Sequence, residues 1–528
     1  MSVSGASTRD ARSWYRVGLH RAAPGEDVSP GEETRRIAFE FQGGPYTSQD
    51  LAVTAFSGRE ELSRAFAFTV ELAATGQTAI QPQELLAQQV LLSLHDRVNG
   101  ASRFVHGMIG RVEALGERQG RMRYRVLLVP DFWKLRHVRR SRIFQQKSVP
   151  EIVQQVLGDA GIAHGARLEG SYSPREFCVQ YRESDFDFVS RLLESEGIFF
   201  FFEHTEDAHT LVLGDGANSH TPIPGESRLP FRESTGAEGD EEHVLALERA
   251  ARVRPGVAVL RDFNFVQPSM DLTAKKQAAN ANTELEVYDS PGKYEEPGVG
   301  RDLAQVRLEE LRHDTERCDG ECSSVRLLPG CTFTLTEHPD ATFEGDYLLV
   351  SVEHSGGHAA YQSRFHAIPA AVPYRPPRLT QRPTIAGAQT AIVVGPPGEE
   401  IHTDEHGRIK VRFHWDREAP GDDKSSCWIR VSQAWAGAGW GALYLPRIGQ
   451  EVIVRFLEGD PDRPLVTGTV YNGERARCAP TPAPVAEAPT SCCSRTLRAR
   501  SRSSSTARRT GRSGSRTTRR SASAGSSP

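Results

Sequence analysis

Short runs in which apolar and polar residues alternate recur along this chain, and they restrict it to folds built largely from strands. Ile409, Val411 and Phe413 are separated by Lys410 and Arg412, and Val452, Val454 and Phe456 repeat the pattern. Such period-two writing buries one face of a strand and leaves the other in solvent. Glycine and proline, 47 and 32 of the 528 residues, punctuate the runs often enough to end each one in a turn. Residues 38–41, 51–56, 66–70, 90–94, 103–112 and 122–130 read as strands in the same way, with the polar stretch 116–120 dividing the last two. Regularly spaced short strands predict a β-barrel or sandwich.

Helical writing interrupts the strands. Ser148, Val149, Pro150 and Glu151 form a capping box with proline in the first turn; Ile152, Val153, Val156 and Leu157 supply one apolar face, and Gly161 a stop. A second helix is predicted over 184–196, with Phe186, Val189, Leu192 and Leu193 on one side and Gly197 as its terminator. The phenylalanine run 199–202 follows directly as a strand. Residues 257–265 are expected in strand, 302–313 in helix, and 332–335 and 347–352 in strand. Five prolines between 369 and 383 give that stretch linker composition. Beyond it, 389–472 reads as about 85 residues of short strands, the size of a five-stranded OB-fold, and holds four of the six tryptophans.

The formal net charge of −4 sums two unlike pieces. From residue 474 onward there are 12 Arg and two Glu, so the preceding 473 residues carry −4 − 10 = −14. The first 16 residues lack the charged start, apolar core and small-residue cleavage site of a secretory signal, and no run approaches the roughly 18 apolar residues of a membrane span. Eight cysteines are too sparse for a disulfide scaffold. A protein made and kept reduced in the cytosol is expected.

Catalytic patterns are few. Gly395-Pro396-Pro397-Gly398 lacks the Lys-Ser/Thr of a phosphate loop and is a turn. Glu183, Asp185 and Glu194 could supply a glycosidase pair, but the first two suit a helix N-terminus through its dipole and the third is expected to face solvent. Cys318, Cys322, Cys331 and His338 lack paired-knuckle spacing, and Cys331 falls inside an alternating strand. His402, His406 and His414 flank a strand beside an acidic turn. No catalytic residue, cofactor or metal is therefore expected. Between 389 and 473 there are 12 acidic and 9 basic residues, a poor groove for a polyanion, so no specific nucleic-acid partner is expected. The tryptophans there suit a core or a subunit contact better than base stacking.

Several motifs together resemble one family. Cys178, Gln180, Tyr181, Glu183, Ser184, Asp185 and Phe186 run into Arg191, Leu192, Leu193, Glu194, Glu196 and Gly197, and Tyr288-Asp289-Ser290-Pro291-Gly292-Lys293-Tyr294 follows later. The last unit is closer still. It carries Asp404-Glu405-His406-Gly407-Arg408, Trp415-Asp416-Arg417, Cys427-Trp428-Ile429, Trp435 and Trp440-Gly441, then Pro446-Arg447-Ile448-Gly449-Gln450 and Glu458-Gly459-Asp460-Pro461-Asp462-Arg463-Pro464. This text resembles the VgrG family, the spikes of bacterial type VI secretion and Rhs elements. The resemblance implies a mainly β, phage-tail-hub-like chain with helical insertions. Its parts would be a loose leader (1–32), a base (33–380) and an OB-fold neck (385–473). The base would divide into a first barrel (33–130), an α/β insertion (131–205), a second barrel (206–368) and a proline-rich linker (369–384).

The resemblance also implies a homotrimer seated on an Hcp tube and baseplate, carrying effectors and, where a β-helical needle is present, a PAAR-type tip. It would be cytoplasmic until fired, secreted without a signal peptide, and would meet the target membrane only mechanically. The assembly motif would comprise Tyr181, Glu183, Ser184, Asp185, Gly197, Trp415, Trp428, Trp435, Trp440, Gly441, Pro446, Gly449, Gly459, Asp460 and Pro461. Alternatives are a hub of a phage or other contractile machine and, from other classes, a cell-wall glycan hydrolase or an OB-type nucleic-acid binder. After Gly473 the resemblance stops. Residues 474–528 are expected to form a disordered Arg/Ser-rich tail with no needle: 491–528 hold 10 Arg, 12 Ser and no acidic residue, which fits a truncated gene read out of frame or, alternatively, a basic tail that docks an acidic partner.

Overall fold

The alternating runs become strands as soon as the chain is described. The structure, a computed structural model, describes residues 36–75, 80–233, 241–279, 282–357 and 361–474. The leader and residues 475–528, including the expected disordered tail, lie outside them. Strands β1 (Ile37–Gly43), β2 (Leu51–Glu61) and β3 (Ala67–Ala74) are followed by a single turn α1 (Pro82–Leu85), then by β4 (Gln89–Asp96), β5 (Ser102–Arg118) and β6 (Arg121–Val129). They pair in the order β1-β4-β5-β6-β3-β2 around buried Phe41, Leu51, Phe68, Val70, Leu92, Val105, Ile109 and Val126. The stretch 116–120 does divide two strands, but only in its last two residues: β5 runs through Gly116 to Arg118, and the chain reverses at Gln119 and Gly120.

An insertion follows, consisting of β7 (Arg139–Lys147), α2 (Val149–Asp159), β8 (His164–Arg167), β9 (Arg175–Ser184), α3 (Asp185–Glu196), β10 (Phe199–His204) and β11 (His209–Gly214). The capping box forms at α2, where the Ser148 N–H donates to Glu151 at 2.8 Å. β7 and β9 make a separate two-stranded ribbon, and β10-β11-β8 a small sheet. All four phenylalanines of β10 are buried because the strand is covered on both sides. Phe200 and Phe202 enter the first core; Phe199 and Phe201 join Leu348, Val350 and Tyr374 in another.

The second barrel uses β12 (Thr221–Pro222), β13 (Arg228–Pro230) and β14 (Val244–Ala251). It is then interrupted by β15 (Val257–Arg261), β16 (Thr273–Gln277), β17 (Glu286–Asp289) and α4 (Pro297–Arg312), and resumes with β18 (Glu316–Cys322), β19 (Cys331–Thr336), β20 (Gly345–Gly356) and β21 (Gln362–Pro369). Helix α4 starts earlier than the apolar spacing predicts because Pro297, lacking an N–H, opens it at a first-turn position. Connectivity repeats that of the first barrel. β2-β3-β6-β5-β4 corresponds to β14-β18-β21-β20-β19, in the same chain order. Even the irregularities repeat: β5 bulges between Ile109 and Arg111 opposite Leu128 and Leu127, and β20 between Leu349 and Ser351 opposite Ala367 and His366. β2 bulges between Val53 and Ala55, β14 between Val244 and Ala246. The barrels are joined edge to edge by β2 and β20, in register from Phe56↔Gly356 to Glu61↔Ser351.

The proline-rich stretch is no free linker. Tyr374 is buried, Arg375 donates to the carbonyls of Gly197 and Asp215 at 3.1 and 2.7 Å, and the N–H groups of Leu379 and Thr380 reach Glu194. Prolines remove donors, and the remaining polar groups strap the segment across the end of α3. The neck comprises β22 (Gln389–Val394), β23 (Lys410–Phe413), β24 (Arg430–Val431), a small hairpin of β25 (Ala436–Gly437) and β26 (Trp440–Gly441), then β27 (Glu451–Phe456) and β28 (Pro464–Val470). Five of these form one sheet, β23-β22-β27-β28-β24, around Val393, Val411, Phe413, Ile429, Val452 and Val454. Among the described residues no helix is long and apolar enough to cross a membrane.

Candidate assembly site between base and neck

Strand β9 serves two cores at once. Its side chains alternate, so Cys178 points into the base beside α3 while Phe177, Val179 and the partly buried Tyr181 complete the core of the neck, joined by Ile143 of β7. The Tyr181 ring meets Trp415 edge-on at 5.6 Å, and Gln389 binds both, donating to the Tyr181 hydroxyl at 2.8 Å and accepting from Trp415 Nε1 at 2.9 Å. Trp415 in turn stacks on Phe413. Burial pushes the Cys178 thiol up to about 11, so it behaves as an inert apolar group.

Charged residues fasten the edge of this shared strand. The Val179 N–H donates to Asp462 Oδ1 at 2.7 Å, from the turn joining β27 to β28. Lys293 Nζ lies 2.6 Å from Asp460 and 3.7 Å from Asp462. Burial works to raise the Asp460 carboxyl, but the Lys293 ammonium holds it below its usual range. Arg463 pairs with Asp262 at 2.5 Å, and the same aspartate accepts the Lys293 N–H. Gly459 makes the turn possible at φ +76°, where a Cβ would lie 2.6 Å from Thr384 Cγ2; Pro461 is buried against the site. A second clamp is aromatic, with Arg408 and Arg430 of the neck over the Phe265 ring at 5.1 and 4.8 Å.

The glycosidase candidates are occupied structurally. Glu183 receives Arg191 Nε and Nη2 at 2.9 and 2.8 Å, and Arg191 also caps the Val179 carbonyl at 2.9 Å. Burial raises the Glu183 carboxyl against the pull of Arg191. Ser184 is the N-cap of α3, accepting from the Asp187 N–H at 3.0 Å, and Asp185 accepts from Gln180 Nε2 at 2.7 Å. Glu194 corrects the expectation that it faces solvent: it is 5% exposed, and both oxygens are used by the strap, Oε1 by the Thr380 hydroxyl and Oε2 by two N–H groups. A helix position alone could not reveal this, because the partner lies 186 residues away. Gly197 ends α3 at φ +71°, and a Cβ there would meet Val306 Cγ1 at 2.4 Å.

Other candidates lie apart. Trp428 tilts against His402 with Lys410 Nζ at 4.9 Å from its ring. Trp435 and Trp440 pack edge-on at 5.2 Å across the β25–β26 hairpin and remain 67% and 58% exposed. Gly441 closes that hairpin, Pro446 is buried, and the Gly449 N–H donates to Val393 at 2.8 Å. Cys318 and Cys322 are buried in the second core, Cys331 in the alternating β19, and the His338 ring lies between Phe231 and Phe343. Lys293, Asp462 and Gln389 complete the site although sequence reasoning gave them no role. The two charged ones already stood inside recognisable motifs, and that was the available signal.

Comparison with known proteins agrees with this layout. The phage tail baseplate hub (GPD) family profile matches residues 59–360, and the type VI secretion system/phage-baseplate injector OB domain profile matches 397–471. Two Pseudomonas aeruginosa type VI secretion system spike proteins, VgrG1c and VgrG1a, are each 38% identical over 84% of this chain, which spans 62% and 70% of their lengths. VgrG1b of the same organism is 39% identical over 84% of the chain and 61% of its own length. The chain thus spans less than two thirds of VgrG1c and VgrG1b. An E. coli protein, c3393, described as a component of the type VI secretion system similar to T4 bacteriophage tail proteins gp27 and gp5, superposes with TM-score 0.60 at 25% identity. The match covers 81% of this chain and 99% of that one. Fold and sequence together place the chain among phage-tail-hub proteins. It belongs to the VgrG family of type VI secretion spike proteins.

Proposed function

We propose that the chain is the base and neck of a type VI secretion spike. Three copies seat on an Hcp tube within a baseplate, and sheath contraction drives them through a target envelope with effectors attached. A PAAR-type tip would load where a needle follows. The protein stays in the cytoplasm until it is fired through the apparatus. The observation that carries this reading is the shared β9 strand, which makes a hub-like base and an OB neck into one mechanical body. A push on the base reaches the neck through packed side chains and charge-assisted hydrogen bonds. The role needs no active site, and the carboxylates that could have formed one already hold Arg191 and the strap.

The boundaries that suit this division are a base over 33–380 and a neck over 385–473. Appearance of the protein in culture supernatant from cells with a working sheath, and its absence when the sheath gene is deleted, tests the proposal. Release that ignores the sheath would defeat it. A phage or other contractile-machine hub is the second reading, favoured by the phage baseplate description of the 59–360 match. Co-purification with Hcp-like tubes rather than phage tails separates the two.

A further inference from the structure

Four histidines from three parts of the base meet in one string of polar contacts, and the neighbours of each restrict it to a single neutral form. The Asp131 N–H, just after β6, donates to His209 Nε2 at 2.9 Å, so the proton of that ring sits on Nδ1 and is given to His106 Nδ1 at 3.0 Å. The His106 N–H donates to His204 Nδ1 at 3.2 Å, which leaves the His204 proton on Nε2, 3.6 Å from Glu60 Oε1. His354 Nε2 donates to Glu60 Oε2 at 3.1 Å, and its Nδ1 accepts from the Tyr361 hydroxyl at 2.7 Å. The string thus runs from β11 and β10 of the insertion, through β5 and β2 of the first barrel, to β20 of the second.

A second proton is tolerated at one end of the string and not at the other. At His354 the Tyr361 hydroxyl can turn and accept, with the Glu60 carboxylate alongside. At the other three rings the nitrogen that would take the proton already faces a donor: the Asp131 N–H at His209, the His209 ring N–H at His106, and the His106 N–H at His204. Protonation there sets two donors against each other, and the His204 and His209 side chains are buried, so neither finds water instead. The charged neighbours do not relieve this. Glu60 is already paired with Arg103, whose guanidinium opposes a cation at His204. At the outer end Asp131, 3.7 Å from His209, and Asp207 favour charge on the imidazoles, while Lys134 opposes it. Burial outweighs them and holds His209 down to about 4.

We infer that His106, His204 and His209 form an acid-sensitive lock, which fixes the β10–β11 hairpin of the insertion to β5 of the first barrel and opens when these rings take up protons. The closed state needs neutral imidazoles, so the lock is complete above the ordinary histidine value of about 6.5 and is lost as pH falls below it. Glu60 does not confuse the reading. Arg103 and the two histidines hold its carboxyl well below the ordinary 4.5 against the effect of burial, so it is ionised in both states through that window. The lock is a property of the base alone and does not depend on the role proposed for the whole chain.

The test is amide hydrogen exchange of the full chain at pH 7 and pH 5, corrected for the intrinsic rate at each pH. One histidine at about 4 when closed and about 6.5 when open shifts the opening equilibrium about twentyfold over that interval. Amides of β10 and β11 are expected to lose that much protection or more, while β22 and β27 of the neck stay within threefold. His204→Asn/His209→Gln places a side-chain oxygen where each acceptor nitrogen stood and cannot be protonated, so it is expected to flatten the response. Exchange of the imidazole C2 hydrogens, followed by mass spectrometry, reads the same histidines in the wild-type chain and serves if the variant does not fold; His204 and His209 are expected to titrate below the ordinary value. A change under threefold in β10–β11, or an equal loss throughout the neck, overturns the lock. So does an unchanged response in the folded variant, or titration of His204 and His209 at about 6.5.

Discussion

Removing the Asp462 carboxylate should loosen the neck from the base without unfolding either. Val179 is 1% exposed, and its N–H, directed away from β7, donates to Asp462 Oδ1 at 2.7 Å. In Asp462→Ala that donor keeps no partner, while Lys293 keeps Asp460 at 2.6 Å, so no buried charge is stranded. A lost hydrogen bond to a charged group costs about 2 kcal/mol, which is roughly a thirtyfold rise in the equilibrium for opening. Asp462→Asn keeps an acceptor and should fall between the two. Amide hydrogen exchange reads this directly: Val179 and the neighbouring amides of β22 should exchange faster in the alanine variant, while β4 and the inner half of β5 keep their protection. A change below about threefold at Val179 would refute the reasoning, as would equal loss of protection throughout the first barrel.

Replacing Trp435 and Trp440 by Ser should leave the unfolding midpoint of the isolated chain nearly unchanged, since both rings are mostly exposed, yet weaken self-association seen by sedimentation. Gly197→Ala should destabilise by about 1–2 kcal/mol for the left-handed backbone alone, with more from the 2.4 Å approach to Val306 Cγ1, and calorimetry should show a lower melting temperature. Acid should weaken the first barrel. Burial pushes the His209 imidazole down to about 4, where Nε2 accepts the Asp131 N–H at 2.9 Å and Nδ1 meets His106. Because the unfolded chain binds the proton more readily, stability is complete above the ordinary histidine value of about 6.5 and is lost as pH falls toward 4. Buried Glu183 and Glu194, raised by burial, act in the opposite sense, so the measurement is the difference between wild type and His209→Gln in urea midpoint from pH 7 to 4.5. The variant should show the flatter dependence, and parallel curves would exclude His209 as the source.

Much of this architecture was legible because strands and helices write their own periods. The five-stranded neck, the capping box at Ser148 and the stop at Gly197 all follow from local spacing. What spacing does not carry is the identity of whatever covers a face. Alternation in β9 gives two faces; it does not say that Cys178 serves one core while Phe177 and Val179 serve another. The phenylalanine run of β10 reads as a strand, yet its double burial depends on Tyr374, which lies in a segment whose prolines suggested a free linker. Glu194 suited a solvent face by its place in a helix and was taken up by the backbone of that same segment.

These misses share a cause that bears on how the molecule works. Each involves a residue whose partner lies far along the chain: Glu194 and the β10 phenylalanines are joined to the proline-rich segment, and the β9 residues join the base to the neck. Separating the neck would expose Phe177, Val179 and Ile143, at about 1.5–3 kcal/mol for each fully buried apolar side chain. It would also break the bonds to Asp462, Gln389 and Arg463. A flexible tether would have needed none of these, since a proline-rich strand of chain connects the parts in any case. A body that passes force along its axis, as proposed for this chain, gains from parts that share a strand, and the shared strand is where local sequence is least able to announce its role.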